Sequence, residues 1–179
     1  MKIVALVVVL TLSLAAQQTP VQPLSQRGIE RITEEVRHRL VLLPYYGVFD
    51  NLAFKVSPDG TVTLLGQVSR PTLKSDAERT IKGIEGVERV DNQIEVLPTS
   101  PMDDQIRRAT YRSIYGNDVL NQYALRAVPP IHIIVKNGHV TLEGVVARQM
   151  DKQVAEMQAK SVPNVFSVTN NLRVEEEGK

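Results

Sequence analysis

The sequence predicts an α+β fold of two tandem αββαβ modules, each a three-stranded mixed sheet covered on one face by two helices. Residues 60–68 match residues 138–146 at a separation of 78 residues, and the match continues without a gap to the end of each unit. Both units also show the same order of helical and strand-like apolar patterns. Self-similarity at a fixed separation is typical of a duplicated structural unit.

In the first unit, apolar residues recur at helical spacing over 29–40, and Pro44 is expected to end this helix. Alternating apolar residues over 52–56 and 62–68 then predict two strands. The intervening Ser-Pro-Asp-Gly at 57–60 favours a tight turn, so the strands form a hairpin.

A second helix is predicted over 73–84, with Gly86 as its C-terminal stop, and 87–96 forms the last strand. A strand, a crossover helix and a further strand run parallel and right-handed, so the sheet is mixed. In the second unit, Asn137-Gly138 favours a type I′ turn one residue shorter, and Asn164 replaces the glycine at the helix stop. Residues 116–130 carry no clear pattern.

The amino terminus has the features of an export signal. Lys2 precedes an apolar run of about 12 residues, which suits a signal peptide and is short of the ~20 residues that span a bilayer. An uncleaved anchor is the alternative. The predicted divisions are a signal peptide (1–16), a flexible segment (17–24), a first module (25–97), a proline-bounded linker (98–101), a second module (102–174) and an acidic tail (175–179).

Composition excludes several functions. The formal net charge is only +1 and includes Lys2, which argues against electrostatic capture of nucleic acid. Cysteine is absent, so there is no disulfide framework, thiol nucleophile, zinc ribbon or lipid-bearing cysteine. His38, His132 and His139 lack metal-ligand spacing. The two units share no candidate acid, base or nucleophile. We therefore expect no catalytic or metal site, no cofactor, no nucleic acid partner and no small-molecule substrate.

The repeated pattern resembles a known family. Asp/Asn-Gly-x-Val-Thr-Leu-x-Gly-x-Val, a helix, and then Gly-Val-x-x-Val-x-Asn-x-Ile-x-Val is similar to the BON domain (bacterial OsmY and nodulation). The pattern covers 59–68 and 86–96 in the first unit, and 137–146 and 165–174 in the second. The resemblance implies an exported, non-catalytic envelope protein. Such proteins are linked to osmotic or envelope stress, to anionic phospholipid binding and, in some members, to chaperone-like activity.

One helix face is the candidate binding surface. On the first helix of the second unit, Ile106, Thr110 and Ile114 mark the inward stripe at 100° per residue. The opposite face is predicted to present an outward cluster of arginine and tyrosine, with Arg107 at its edge: Arg108, Tyr111, Arg112 and Tyr115. Guanidinium groups and amphipathic rings suit a lipid headgroup interface. The alternative is a solvated face whose tyrosines pack on the other module.

A second set of residues is predicted to serve structure, as turn and close-approach positions: Gly60, Gly66, Gly86, Gly138, Gly144 and Asn164. Two functional hypotheses follow. The first is a peripheral protein that binds anionic phospholipid membranes through its second module. The second is a soluble periplasmic protein that binds envelope protein clients without lipid affinity. Catalysis is a distant third, and no pattern indicates an oligomeric state.

Overall fold

The computed structural model describes residues 23–175 and contains two αββαβ modules, which confirms the predicted fold class. The predicted signal peptide, residues 17–22 and residues 176–179 of the acidic tail lie outside the described residues. The first module consists of α1 (Gln26–Val41), β1 (Asn51–Val56), β2 (Thr61–Val68), α2 (Pro71–Lys82), β3 (Arg89–Asn92) and β4 (Glu95–Val96). The second consists of α3 (Pro101–Tyr115), a 3-10 helix (Asn121–Leu125), β5 (Ile131–Lys136), β6 (His139–Val146), α4 (Gln149–Lys160), β7 (Ser167–Asn170) and β8 (Arg173–Val174).

Each sheet is mixed, as predicted. β1 pairs antiparallel with β2, which pairs in parallel with β3 and then β4. The second module repeats this order with β5 to β8. The predicted last strand is divided in two, because the side chain of Asn92 accepts a hydrogen bond from the backbone of Ile94 (3.2 Å). Asn170 and Leu172 repeat the arrangement at 3.2 Å.

The two modules have separate apolar cores. In the first, the predicted helix stripe is buried at Ile32, Val36 and Leu40 and packs on Val62 and other residues of β2. In the second, the predicted stripe of α3 is buried at all three positions. Aliphatic side chains dominate both cores, as the low aromatic content of 4% requires.

The structure corrects the predicted helix ends. α1 ends at Val41 rather than at Pro44. α2 ends at Lys82 and α4 at Lys160, so neither Gly86 nor Asn164 is a helix stop. Both residues have positive φ (85° and 67°) and lie in the turn that leads into the last strand. α2 and α4 end early because a short turn, residues 83–86 and 161–164 respectively, leads from each helix towards the last strand.

The hairpin glycines occupy equivalent positions in the two modules. Gly60 and Gly138 both have φ of +78°. At Gly66 and Gly144 the neighbouring strand approaches closely: an added Cβ would lie 2.1 Å from the Asn51 carbonyl oxygen and 1.9 Å from the Pro130 carbonyl oxygen. These sites exclude any side chain, which explains why both repeats carry glycine there.

The end of the predicted flexible segment is attached to the first module. The backbone N–H of Leu24 donates to the Pro58 carbonyl (2.7 Å), and its side chain packs against the first core.

Candidate functional site

Helix α3 begins on the hairpin of the second sheet. Pro101 occupies the first turn, and the Ser100 side chain caps the helix by accepting from the N–H of Asp103 (3.2 Å). The Asp103 carboxylate is buried and accepts from the N–H groups of Asn137 (2.9 Å) and Gly138 (2.8 Å) in the type I′ turn. The start of α3 is therefore fixed relative to β5 and β6.

Two of the predicted outward residues of α3 are buried instead. Arg107 and Tyr115 are each only 6% exposed. Arg107 donates to Asp104 and to the Val135 carbonyl (2.8 Å). The Tyr115 hydroxyl donates to the Ile131 carbonyl (2.6 Å), and burial raises the pKa of this phenol. The prediction of exposure was wrong because both side chains bond to the backbone of β5, which makes the inward face of α3 wider than its apolar stripe.

Of the remaining three residues, two are exposed to solvent and one packs against other aromatic rings. Arg108 and Arg112 are exposed, as predicted. Tyr111 is half-buried; its ring lies 4.8 Å from that of Tyr115 and, edge-on, 6.2 Å from that of Phe49 in the first module. The alternative prediction, that the tyrosines of this face pack on the other module, therefore applies to Tyr111.

The segment between α1 and β1 (residues 42–50) reaches across to the second module. The Val48 carbonyl accepts from the backbone N–H of Ile133 on β5 (2.7 Å), and the side chains of Val48 and Phe49 pack against the second core. The Tyr46 ring stacks on that of His132 at a centroid separation of 5.6 Å. Burial raises the pKa of Tyr46 to about 12 and lowers that of His132.

The contact between the two modules, called the junction below, continues on the side of the sheets that the helices do not cover. There, Lys136 of the second module forms a salt bridge with Glu95 of the first (2.5 Å). Leu97 and Ile134 are each 4% exposed and line a shared cleft. β5 consequently has buried residues on both faces, whereas its counterpart β1 has none that are fully buried. The first module completes the environment of the second sheet.

A pocket of about 480 Å³ lies at this junction. Its lining combines a backbone segment and aromatic ring of the first module with α3 and the loop before β5: Gly47, Val48, Phe49, Arg108, Tyr111, Arg112, Ala124, Arg126, Ala127 and Pro129. No lining residue is acidic. Within residues 23–175, none of the three arginines forms a salt bridge. The site therefore offers three cationic groups around an apolar floor.

Sequence reasoning missed Arg126 and the contribution of residues 47–49. Arg126 follows the 3-10 helix, which is fixed by Tyr123: its hydroxyl donates to the buried Asp151 carboxylate (2.7 Å) and accepts from the Ala147 N–H (2.8 Å). Burial raises the pKa of Tyr123. The sequence does contain an indication of the contribution of residues 47–49. Val48 and Phe49 are adjacent apolar residues between α1 and β1, and neither belongs to the alternating pattern of β1.

Over 23–175, no group of three or more histidine, aspartate and glutamate side chains is placed to hold a metal ion. No helix in this range is both long and apolar enough to cross a membrane.

Comparison with known proteins identifies the family. The BON domain model matches the chain twice, at residues 29–98 and 103–176. No curated protein matches the sequence. Among solved structures, CdsD, a structural protein of the type III secretion system of Chlamydia trachomatis, is similar at 14% identity and a TM-score of 0.32, over 83% of this chain and 95% of that one. The C-terminal domain of the same protein gives 12% identity and a TM-score of 0.29, over 80% and 96%. BON-domain proteins are typically associated with the cell envelope and are generally non-catalytic. The two family matches cover most of the chain, which therefore belongs to the BON-domain family and carries two copies of that domain.

Proposed function

We propose that this protein is exported to the periplasm and attaches peripherally to anionic phospholipid membranes through its second BON module. The observation that carries the proposal is the set of three arginines, Arg108, Arg112 and Arg126, around one apolar pocket without an acidic residue. Guanidinium groups form bidentate, charge-assisted hydrogen bonds with phosphate, the group that anionic phospholipids present.

The expected attachment is reversible. Each basic residue near an anionic surface contributes about 1 kcal/mol, so three arginines contribute about 3 kcal/mol. Leu125, beside Arg126, is 88% exposed and is available for apolar contact with the bilayer. Burying such a side chain adds about 1.5–3 kcal/mol. The sum fits a protein that samples the membrane rather than one permanently anchored to it. The proposal includes a role in envelope or osmotic stress maintenance, which the family resemblance implies.

Vesicle flotation tests the proposal. The protein is used from Gln17 onward, since the apolar run before it would itself bind membranes. We expect flotation with vesicles that contain phosphatidylglycerol and none with pure phosphatidylcholine. The triple variant Arg108→Glu, Arg112→Glu, Arg126→Glu should no longer float.

The matched control reverses the same number of charges elsewhere. Arg27, Arg37 and Arg173 are exposed and have no salt bridge among residues 23–175. Their triple Glu variant changes the net charge equally and should float as well as the unmodified protein. Equal losses in both triple variants would refute a local site, and equal flotation on neutral vesicles would refute recognition of charge.

The alternative function is a soluble periplasmic protein that binds envelope protein clients. It is favoured by two methionines seven residues apart on one face of α4, Met150 and Met157, which are 60% and 61% exposed. Flexible, exposed methionines suit adaptable apolar contacts. This function predicts that the protein slows the aggregation of an unfolded client without vesicles present, and that Met150→Lys with Met157→Lys abolishes the effect.

A further inference from the structure

The junction pocket has walls from both modules, and this distinguishes it from a charged surface. Gly47, Val48 and Phe49 belong to the first module, whereas the three arginines, Tyr111 and the loop over 124–129 belong to the second. Phe49 and Tyr111 contact each other edge-on across the boundary. Neither module alone contains the complete lining.

The size and chemistry of the pocket define a class of ligand. Its volume, about 480 Å³, falls within the range of about 300–1,000 Å³ typical of small-molecule sites. A ligand matched to this lining carries an anionic group for the three arginines, which form no salt bridge among the described residues, and an apolar part for the aromatic rings, Val48 and Ala124. A single molecule that carries an anionic group on an apolar body satisfies both requirements.

We propose that the pocket between the two BON modules binds one molecule of an amphipathic anion, with its charged group among Arg108, Arg112 and Arg126 and its apolar part against Phe49 and Tyr111. The inference rests on the proposed function and deepens it, because it replaces attachment to a surface by occupancy of a defined site. The ligand contacts both modules, so it also stabilises their docked arrangement.

A water-soluble ligand tests the site without a bilayer. Dihexanoyl phosphatidylglycerol is titrated, below the concentration at which it forms micelles, into the protein from Gln17 onward, and binding is followed by calorimetry. Parallel titrations use dihexanoyl phosphatidylcholine, octanoate and inorganic phosphate. We expect saturable one-to-one binding of the phosphatidylglycerol, with phosphatidylcholine and phosphate at least about tenfold weaker. Octanoate distinguishes a carboxylate from a phosphate head group.

A steric variant provides the structural control. Ala127→Trp places a large ring in the lining and leaves all three arginines in place, whereas Gln122→Trp adds the same ring at an exposed position outside the lining. Ala127 is exposed, so its variant should melt as the unmodified protein does. We expect Ala127→Trp to weaken binding at least about tenfold and Gln122→Trp to leave it unchanged. Unchanged binding by Ala127→Trp, or inorganic phosphate as tight as the lipid, would overturn the inference.

Flotation separates failure of this inference from failure of the proposed function. If the unmodified protein floats on phosphatidylglycerol vesicles but binds neither short-chain lipid nor octanoate, the arginines act as a surface and the pocket inference is wrong. If it neither floats nor binds these ligands, the proposed function is wrong as well. Flotation that Ala127→Trp abolishes would support the pocket as the route of membrane attachment.

Discussion

Replacement of Asp103 by alanine tests how the second module holds its binding helix. The carboxylate is 1% exposed and accepts from two backbone N–H groups, those of Asn137 and Gly138, at the turn between β5 and β6. Alanine removes both hydrogen bonds and leaves the buried N–H of Gly138 without its acceptor. A hydrogen bond to a charged group contributes about 1.5–3 kcal/mol, and an unsatisfied buried donor costs about 1–3 kcal/mol.

Part of this loss is recovered, because the carboxylate no longer has to be removed from water. We therefore expect Asp103→Ala to lower the free energy of unfolding by about 3 kcal/mol. Asp103→Asn keeps one acceptor oxygen but places an NH₂ group against the other N–H, so it should cost about half as much. Urea denaturation followed by circular dichroism measures both values.

Asp59 supplies the matched control in the first module. Its carboxylate accepts from the Thr61 N–H and hydroxyl, both at 3.0 Å, in the corresponding hairpin, but it is exposed. Water can replace the carboxylate there, so Asp59→Ala should destabilise clearly less than Asp103→Ala. Similar effects at the two sites, or a cost below about 1 kcal/mol at Asp103, would refute the reasoning from burial.

Three further predictions concern other parts of the fold. Gly144→Ala should lower the free energy of unfolding by more than about 3 kcal/mol in urea denaturation, and Gly138→Ala should lower it clearly less. The new Cβ at residue 144 meets the fixed Pro130 carbonyl oxygen at 1.9 Å, whereas the Cβ at residue 138 meets the exposed Phe166 ring at 2.7 Å. Equal losses of stability would contradict this reasoning. Asn170→Ala should cost about 1–2 kcal/mol, since its amide donates to the Lys152 carbonyl (2.9 Å) and joins α4 to the last strand; an unchanged urea midpoint would refute that role. Burial lowers the pKa of His132, so its contribution to stability is fully present above about pH 6.5 and declines as the pH falls from there towards the folded pKa; urea titrations at a series of pH values should show this decline, and His132→Gln should remove it.

The fold was predictable because duplication provides each pattern twice. The period-2 alternation of β2 and its copy β6, and the helical stripes of α1 and α3, specify which faces are buried within a module. The Asn137-Gly138 turn has the positive φ values, 53° and 78°, that the type I′ prediction requires. These features depend on residues that are close together in the sequence, so the sequence is sufficient to predict them.

The candidate site was only partly predictable, because contacts between the modules leave no periodic pattern in the sequence. Arg108 and Arg112 were found from the helix geometry, but the burial of Arg107 and Tyr115 depends on backbone groups of β5 that the sequence does not locate. Arg126 follows a segment without apolar periodicity, and its position depends on the bond between Tyr123 and Asp151.

Because β5 has buried residues on both faces and β1 has no fully buried residue, the two copies of the module depend on each other unequally. A first module separated from its partner keeps its own core and exposes Val48, Phe49 and Leu97. A second module expressed alone would present Ile134, Tyr111 and the backbone N–H of Ile133 to water. Such a fragment should associate with itself or with other apolar surfaces. The two copies are therefore no longer interchangeable: exchanging their order along the chain would give each sheet the wrong neighbour, although every residue of both domains would still be present.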